Sequence, residues 1–79
     1  MRVLFFAHLK DATGVAEEEL RISESLDSDA LWRKLIAAHP KLATFQKTTR
    51  LARNSEYASS QTRFTDADEV ALIPPVSGG

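Results

Sequence analysis

The chain is 79 residues long, carries a net charge of -1 and contains no cysteine, which describes one small domain. That balance excludes a basic field for nucleic acid, disulfides, thiolate metal sites and a cysteine nucleophile. Two histidines are too few for a histidine-rich metal site, and neither G-x-x-x-x-G-K-[ST] nor G-x-G-x-x-G is present to cradle a nucleotide.

Arg2 to His8 reads as a strand rich in β-favouring side chains. Its apolar core, Val3 to Ala7, falls far short of a membrane span or signal segment, so a cytoplasmic protein without a membrane partner is expected. Lys10 to Gly14 is small and polar and reads as a loop. Glu17 to Ser23 alternates Leu20 and Ile22 with Glu19, Arg21 and Ser23, a second strand completing a hairpin. Asp27-Ser28-Asp29 supplies capping oxygens and negative charge for a helix start. The helix then runs from about Asp29 to Ala38, with Leu31 and Leu35 one turn apart, and Pro40 ends it. Lys41 to Lys47 reads as one helical turn carrying Leu42 and Phe45 to the core. Thr48 to Arg53 reads as a strand, Asn54-Ser55 as a turn, Glu56 to Ala58 as a short strand, and Glu69 to Ile73 as the last strand.

A hairpin, a helix and then further strands describe an α+β fold of the β-grasp type. The helix lies on one face of a mixed sheet, and the first and last strands run parallel side by side. The expected domain covers residues 1–73, and residues 74–79 form an extended, flexible tail. Alternation in the first strand places Val3, Phe5 and Ala7 on one face, and Leu4, Phe6 and His8 on the other. In the last strand Val70 and Leu72 share one face, and Glu69, Ala71 and Ile73 the other. One helix covers one face, so Leu4, Phe6 and Ile73, with Tyr57 nearby, point outward. They form a docking surface for a partner protein unless residues 41–47 or the edge strand cover them.

The tail is Pro74-Pro75-Val76-Ser77-Gly78-Gly79. Gly14 is the only other glycine. A Gly-Gly end lacks Cβ atoms and can pass down a narrow channel, but taken alone it also fits a frayed terminus. Together with the strand before it, the run Asp68 to Gly79 resembles the C-terminus of the small, sulfur-carrying subunits of molybdopterin synthase, a family related to ubiquitin by fold. Val3-Leu4-Phe5-Phe6-Ala7 resembles the opening of the same family. Ala67, where glycine is common, and Arg63-Phe64, where Pro-Leu is usual, depart from its pattern.

The resemblance implies that the terminal carboxylate of Gly79, with Gly78 beside it, is the reactive group. An adenylating enzyme related to ubiquitin-activating enzymes would use ATP to activate it. A sulfur donor protein would then convert it to a thiocarboxylate, with no cofactor bound to the chain itself. The tail, through Pro74, Pro75, Val76 and Ser77, would enter the large subunit of the synthase and deliver sulfur to a cyclic pterin. Two carriers on a central large-subunit dimer make a heterotetramer, each carrier being inert alone. The two prolines fix φ near -65° and stiffen the exit from the sheet.

The same fold and tail also serve sulfur carriers for thiazole synthesis, which are usually shorter and lack the Pro-Pro pair, and ubiquitin-like protein modifiers. His8 reads as an ordinary surface histidine at a strand end. His39 reads as a helix-end histidine suited to the dipole. Asp66 and Asp68 read as turn residues and Trp32 as core or flank.

Overall fold

Alternation is what builds the sheet. The structure, a computed structural model, describes residues 1–75. In β1 (Arg2–Phe5), Val3 and Phe5 are buried while Arg2 is exposed and Leu4 half-buried. The other elements are α1 (His8–Thr13), β2 (Glu17–Glu19), α2 (Ser28–Ala38), a 3₁₀ segment over Pro40–Thr48, β3 (Arg50–Arg53), β4 (Glu56–Tyr57) and β5 (Glu69–Ile73). The sheet order is β2-β1-β5-β3-β4. β1 and β5 are parallel in register Val3 to Val70 and Phe5 to Leu72, and the remaining pairs are antiparallel. This is the expected β-grasp, with β5 held between two neighbours at its centre.

The helix face of the sheet carries the core. Val3, Phe5, Val70 and Leu72 cluster with Leu31, Trp32 and Leu35 of α2, and with Leu9, Leu42 and Phe64. Each fully buried Leu or Phe contributes about 1.5–3 kcal/mol over leaving it in water. Asp27 caps α2 by accepting a 2.8 Å hydrogen bond from the Ala30 amide. Leu42 is buried and Phe45 partly so, as expected, but the segment carrying them is a 3₁₀ run rather than a single turn. Trp32 belongs to the core.

Several expectations are corrected. The first strand stops at Phe5, because Ala7 takes φ 51° and ψ -128°, a conformation that L-residues rarely hold. The Leu9 amide closes the turn onto the Phe6 carbonyl at 2.9 Å, and the polar stretch that follows is α1, ended by Gly14 at φ 81°. Ala7 and His8 therefore leave the sheet. His8 starts α1, half-buried, with its ring centroid 4.8 Å from that of Phe45. β2 ends at Glu19 instead of Ser23. Leu20 still exchanges backbone hydrogen bonds with Met1, but the Ile22 amide donates to Asp66 Oδ1 at 2.9 Å. β3 begins at Arg50 and β4 ends at Tyr57, so both are shorter than expected.

The two departures from the family pattern have physical explanations. The turn over Thr65–Asp68 closes through the Asp68 amide and the Thr65 carbonyl at 3.1 Å. Ala67 is not among the residues with positive φ, so that turn needs no glycine. Phe64 is fully buried and bridges to Leu26, so it serves as a core side chain.

Candidate functional site

The face of the sheet opposite α2 carries a groove of about 370 Å³ lined by Leu4, Phe6, Ala52, Ser55, Tyr57, Glu69, Ala71 and Ile73. Register explains its shape. Leu4 lies opposite Ala71, Ala71 opposite Ala52, and Ala52 opposite Tyr57, a single row across four strands. Two alanines form the floor, and Leu4 and Tyr57 form the walls. Nearer the tail, Ile73 lies opposite Arg50, and Phe6 lines the same groove just past the end of β1. Phe6 is 45 % and Tyr57 58 % exposed. Among the described residues nothing covers this face. The 3₁₀ segment packs against α1 and α2, and the edge strand β4 adds Tyr57 to the groove instead of capping it.

The expected set of Leu4, Phe6, Tyr57 and Ile73 is therefore brought together. Alternation placed Ala71 on this face without marking it as part of the docking set, and reasoning from sequence missed Ala52, whose small side chain carries no signal of its own. It also missed Ser55, which is in the groove through the β3–β4 hairpin. That hairpin has a two-residue loop, with Asn54 at φ 49° and Ser55 at φ 74°, the left-handed pair such loops require.

Charge is unevenly placed around the groove. At the end away from the tail, Arg2 donates two hydrogen bonds to Glu17, at 2.8 and 3.1 Å, and one to Glu69 at 3.3 Å. The hydrogen bond and charge of Arg2 hold the Glu17 carboxyl below its ordinary range. At the tail end, the Arg50 guanidinium lies 3.9 Å above the centroid of the Tyr57 ring.

β5 delivers the tail. Ile73 and Pro74 are half-buried and Pro75 is exposed. The remaining expected site residues, Val76, Ser77, Gly78 and Gly79, lie outside the described residues. Among the described residues no three metal-ligating side chains converge, and no helix is long and apolar enough to cross a membrane. His39, expected to be a plain helix-end residue, instead bonds through Nε2 to the Glu18 carboxylate at 2.9 Å. Asp66 and Asp68 are turn residues, as expected. Asp68 accepts from the Thr65 amide at 2.7 Å and from Asn54 at 3.0 Å.

Comparison with known proteins agrees with this architecture. Residues 3–79 match the ThiS family. The molybdopterin synthase sulfur carrier subunit of Chlamydomonas reinhardtii is 40% identical, covering 100% of this chain and 98% of that protein. A Pyrococcus furiosus structure assigned as molybdopterin converting factor, subunit 1, superposes with a TM-score of 0.82 at 26% identity, over 95% of each chain. The crystal structure of small archaeal modifier protein 1 from Haloferax volcanii superposes with a TM-score of 0.81 at 27% identity, over 100% of this chain and 98% of that one. The chain belongs to the ThiS family and is a relative of the molybdopterin synthase sulfur carrier subunits.

Proposed function

We propose that this protein is the sulfur-carrier subunit of a molybdopterin synthase and acts in the cytoplasm. One observation carries the reading. The likeness to sulfur carrier subunits runs the whole length of the chain, and the Gly78-Gly79 tail follows a strand anchored on both sides beside an open apolar groove.

In this reading the groove docks the large subunit and the activating enzyme in turn, and the tail carries the chemistry. A carboxylate is a poor electrophile, so an adenylating partner first joins Gly79 to AMP, releasing pyrophosphate from ATP. A sulfur donor then displaces AMP and leaves a thiocarboxylate. That soft, ionised sulfur does what a cysteine would do elsewhere. It attacks the cyclic pterin inside the large subunit, and two such deliveries build the dithiolene. Two carriers serve a central large-subunit dimer. Pro74 and Pro75 limit the entropy lost when the tail threads.

The test is intact mass after co-expression with an adenylating enzyme and a sulfur donor. The expected change is the gain of one oxygen-to-sulfur exchange at Gly79, followed by dithiolene formation when the large subunit and the pterin are added. A chain that is never modified at Gly79 overturns the reading. The likeness to a small archaeal modifier protein favours a second reading, in which Gly79 forms isopeptide bonds. Lysine conjugates bearing the Gly-Gly remnant would support it.

A further inference from the structure

We propose that Arg50, held over the Tyr57 ring, selects the partner by pairing with a carboxylate on the large subunit. This deepens the docking reading above and rests on it.

The argument starts from register. Arg50 lies opposite Ile73, the last residue of β5, and shares the open face with Ile73, Ala71 and Ala52. Tyr57 lies opposite Ala52 and so faces the same way. The guanidinium stacks 3.9 Å above the Tyr57 ring. Contact with the ring face engages the guanidinium without using its N–H donors and restricts its swing before any partner arrives. Less rotamer freedom is then lost on binding than for a freely swinging lysine.

The charges around the groove decide the sign of the partner group. Arg2 is already satisfied by Glu17 and Glu69. No carboxylate among the described residues forms an ion pair with Arg50. Glu56, its near neighbour in sequence, lies opposite Arg53, on the other side of the sheet. Glu69 lies four residues before Ile73 on β5, about 13 Å along the strand. The open face therefore presents an apolar trough with one pre-oriented, unneutralised cation at the end where the tail leaves. An apolar side chain filling the trough, with an acidic residue next to it, complements both features. Because the acid must sit at the tail end, the pairing also fixes which way round the carrier docks, aiming the tail into the partner.

The experiment measures dissociation constants between the full-length carrier and the molybdopterin synthase large subunit of the same organism, at low and high salt. Arg50→Glu should weaken binding by well over about tenfold, and Arg50→Ala by about tenfold with a flatter salt dependence. Tyr57→Leu keeps apolar volume but removes the ring face, and should cost nearly as much as Arg50→Ala. Combining it with Arg50→Ala should add little. An acid-to-lysine change on the large subunit should restore binding to Arg50→Glu. If Phe6→Ala weakens binding while Arg50→Glu binds as wild type, the face docks the partner but the selector role is overturned. If Phe6→Ala and Arg50→Glu both bind as wild type, the docking reading itself fails.

Discussion

Nε2 of His39, just past the end of α2, lies 2.9 Å from Oε2 and 3.1 Å from Oε1 of Glu18 in the edge strand β2. The same imidazole stands edge-on to Phe5, with centroids 5.8 Å apart and planes at 76°. One side chain thus ties the helix end to the sheet edge and closes over a core aromatic. The side chains of the pair are only 17 % and 32 % exposed, so the hydrogen bond is partly shielded from competing water. A double-mutant cycle of Glu18→Ala and His39→Ala should give a favourable coupling of about 0.5–1 kcal/mol in urea unfolding. Strictly additive single mutants would show that the contact contributes nothing.

Ala7 predicts a stabilising substitution. Its φ of 51° with ψ -128° brings the Cβ against its own backbone, a strain of order 1–3 kcal/mol. Ala7 is exposed, so its methyl adds little packing. Ala7→Gly should therefore raise the thermal midpoint even after the roughly 0.5–1 kcal/mol entropy cost of glycine. Ala7→Val should lower it. If the two variants shift the midpoint in the opposite order, the turn does not store that strain.

That same residue shows where the sequence could be read and where it could not. β5 was legible from end to end, since Val70 and Leu72 alternate with Glu69, Ala71 and Ile73 between clear turn residues. α2 was legible from its Asp27 cap, and the Asn54-Ser55 turn from its composition. The sequence makes the first strand too long, because Ala7 is apolar and nothing local marks a left-handed turn there. Leu9, fully buried, falls between the expected strand and the expected loop and so goes unassigned. In the groove, alternation gives Leu4 and Ile73, Phe6 keeps their side although β1 ends at Phe5, and Tyr57, expected nearby, is brought in by the β3–β4 pairing. The alanine floor and the Arg50–Tyr57 stack depend on which strands are neighbours and in what register, and no window of sequence holds that information.

Acid should destabilise the protein through the turn that precedes β5. The Asp66 carboxyl is held below its ordinary range by the Ile22 amide first, and then by the Met1 amino group. For Asp68 the largest single influence is burial, which acts upward. The Thr65 amide, the Asn54 side chain and nearby Arg53 together outweigh it and leave the carboxyl depressed. Depressed folded values mean that these groups stabilise the fold above about pH 4, and that their contribution is lost as pH falls through the folded values. The urea midpoint, followed from about pH 7 to pH 2, should fall less steeply on the acid side for an Asp66→Asn/Asp68→Asn double variant than for the wild type. Identical acid limbs would rule this out.

Under the proposed function docking and chemistry should separate cleanly, because the groove and Gly79 occupy different parts of the chain. Phe6 is 45 % exposed, so Phe6→Ala removes little from the core. It takes away an aromatic of the kind that anchors interfaces, and should weaken large-subunit binding by about tenfold or more while moving the thermal midpoint only slightly. Ile73→Asp removes an apolar side chain from the tail end of the same trough and places a carboxylate opposite Arg50, competing for that cation, and should weaken binding at least as much. Removing Gly79, or replacing Gly78 with Trp, acts beyond β5, which ends at Ile73. In the proposed reading those variants keep the wild-type midpoint yet transfer no sulfur, the first because the carboxylate would sit one residue short, the second because a bulky side chain would not pass where glycine does. Calorimetry, binding and single-turnover sulfur transfer on the four variants give the pattern directly. Full transfer by the chain lacking Gly79 would remove Gly79 from the mechanism. Wild-type affinity in both Phe6→Ala and Ile73→Asp would move the partner to another face.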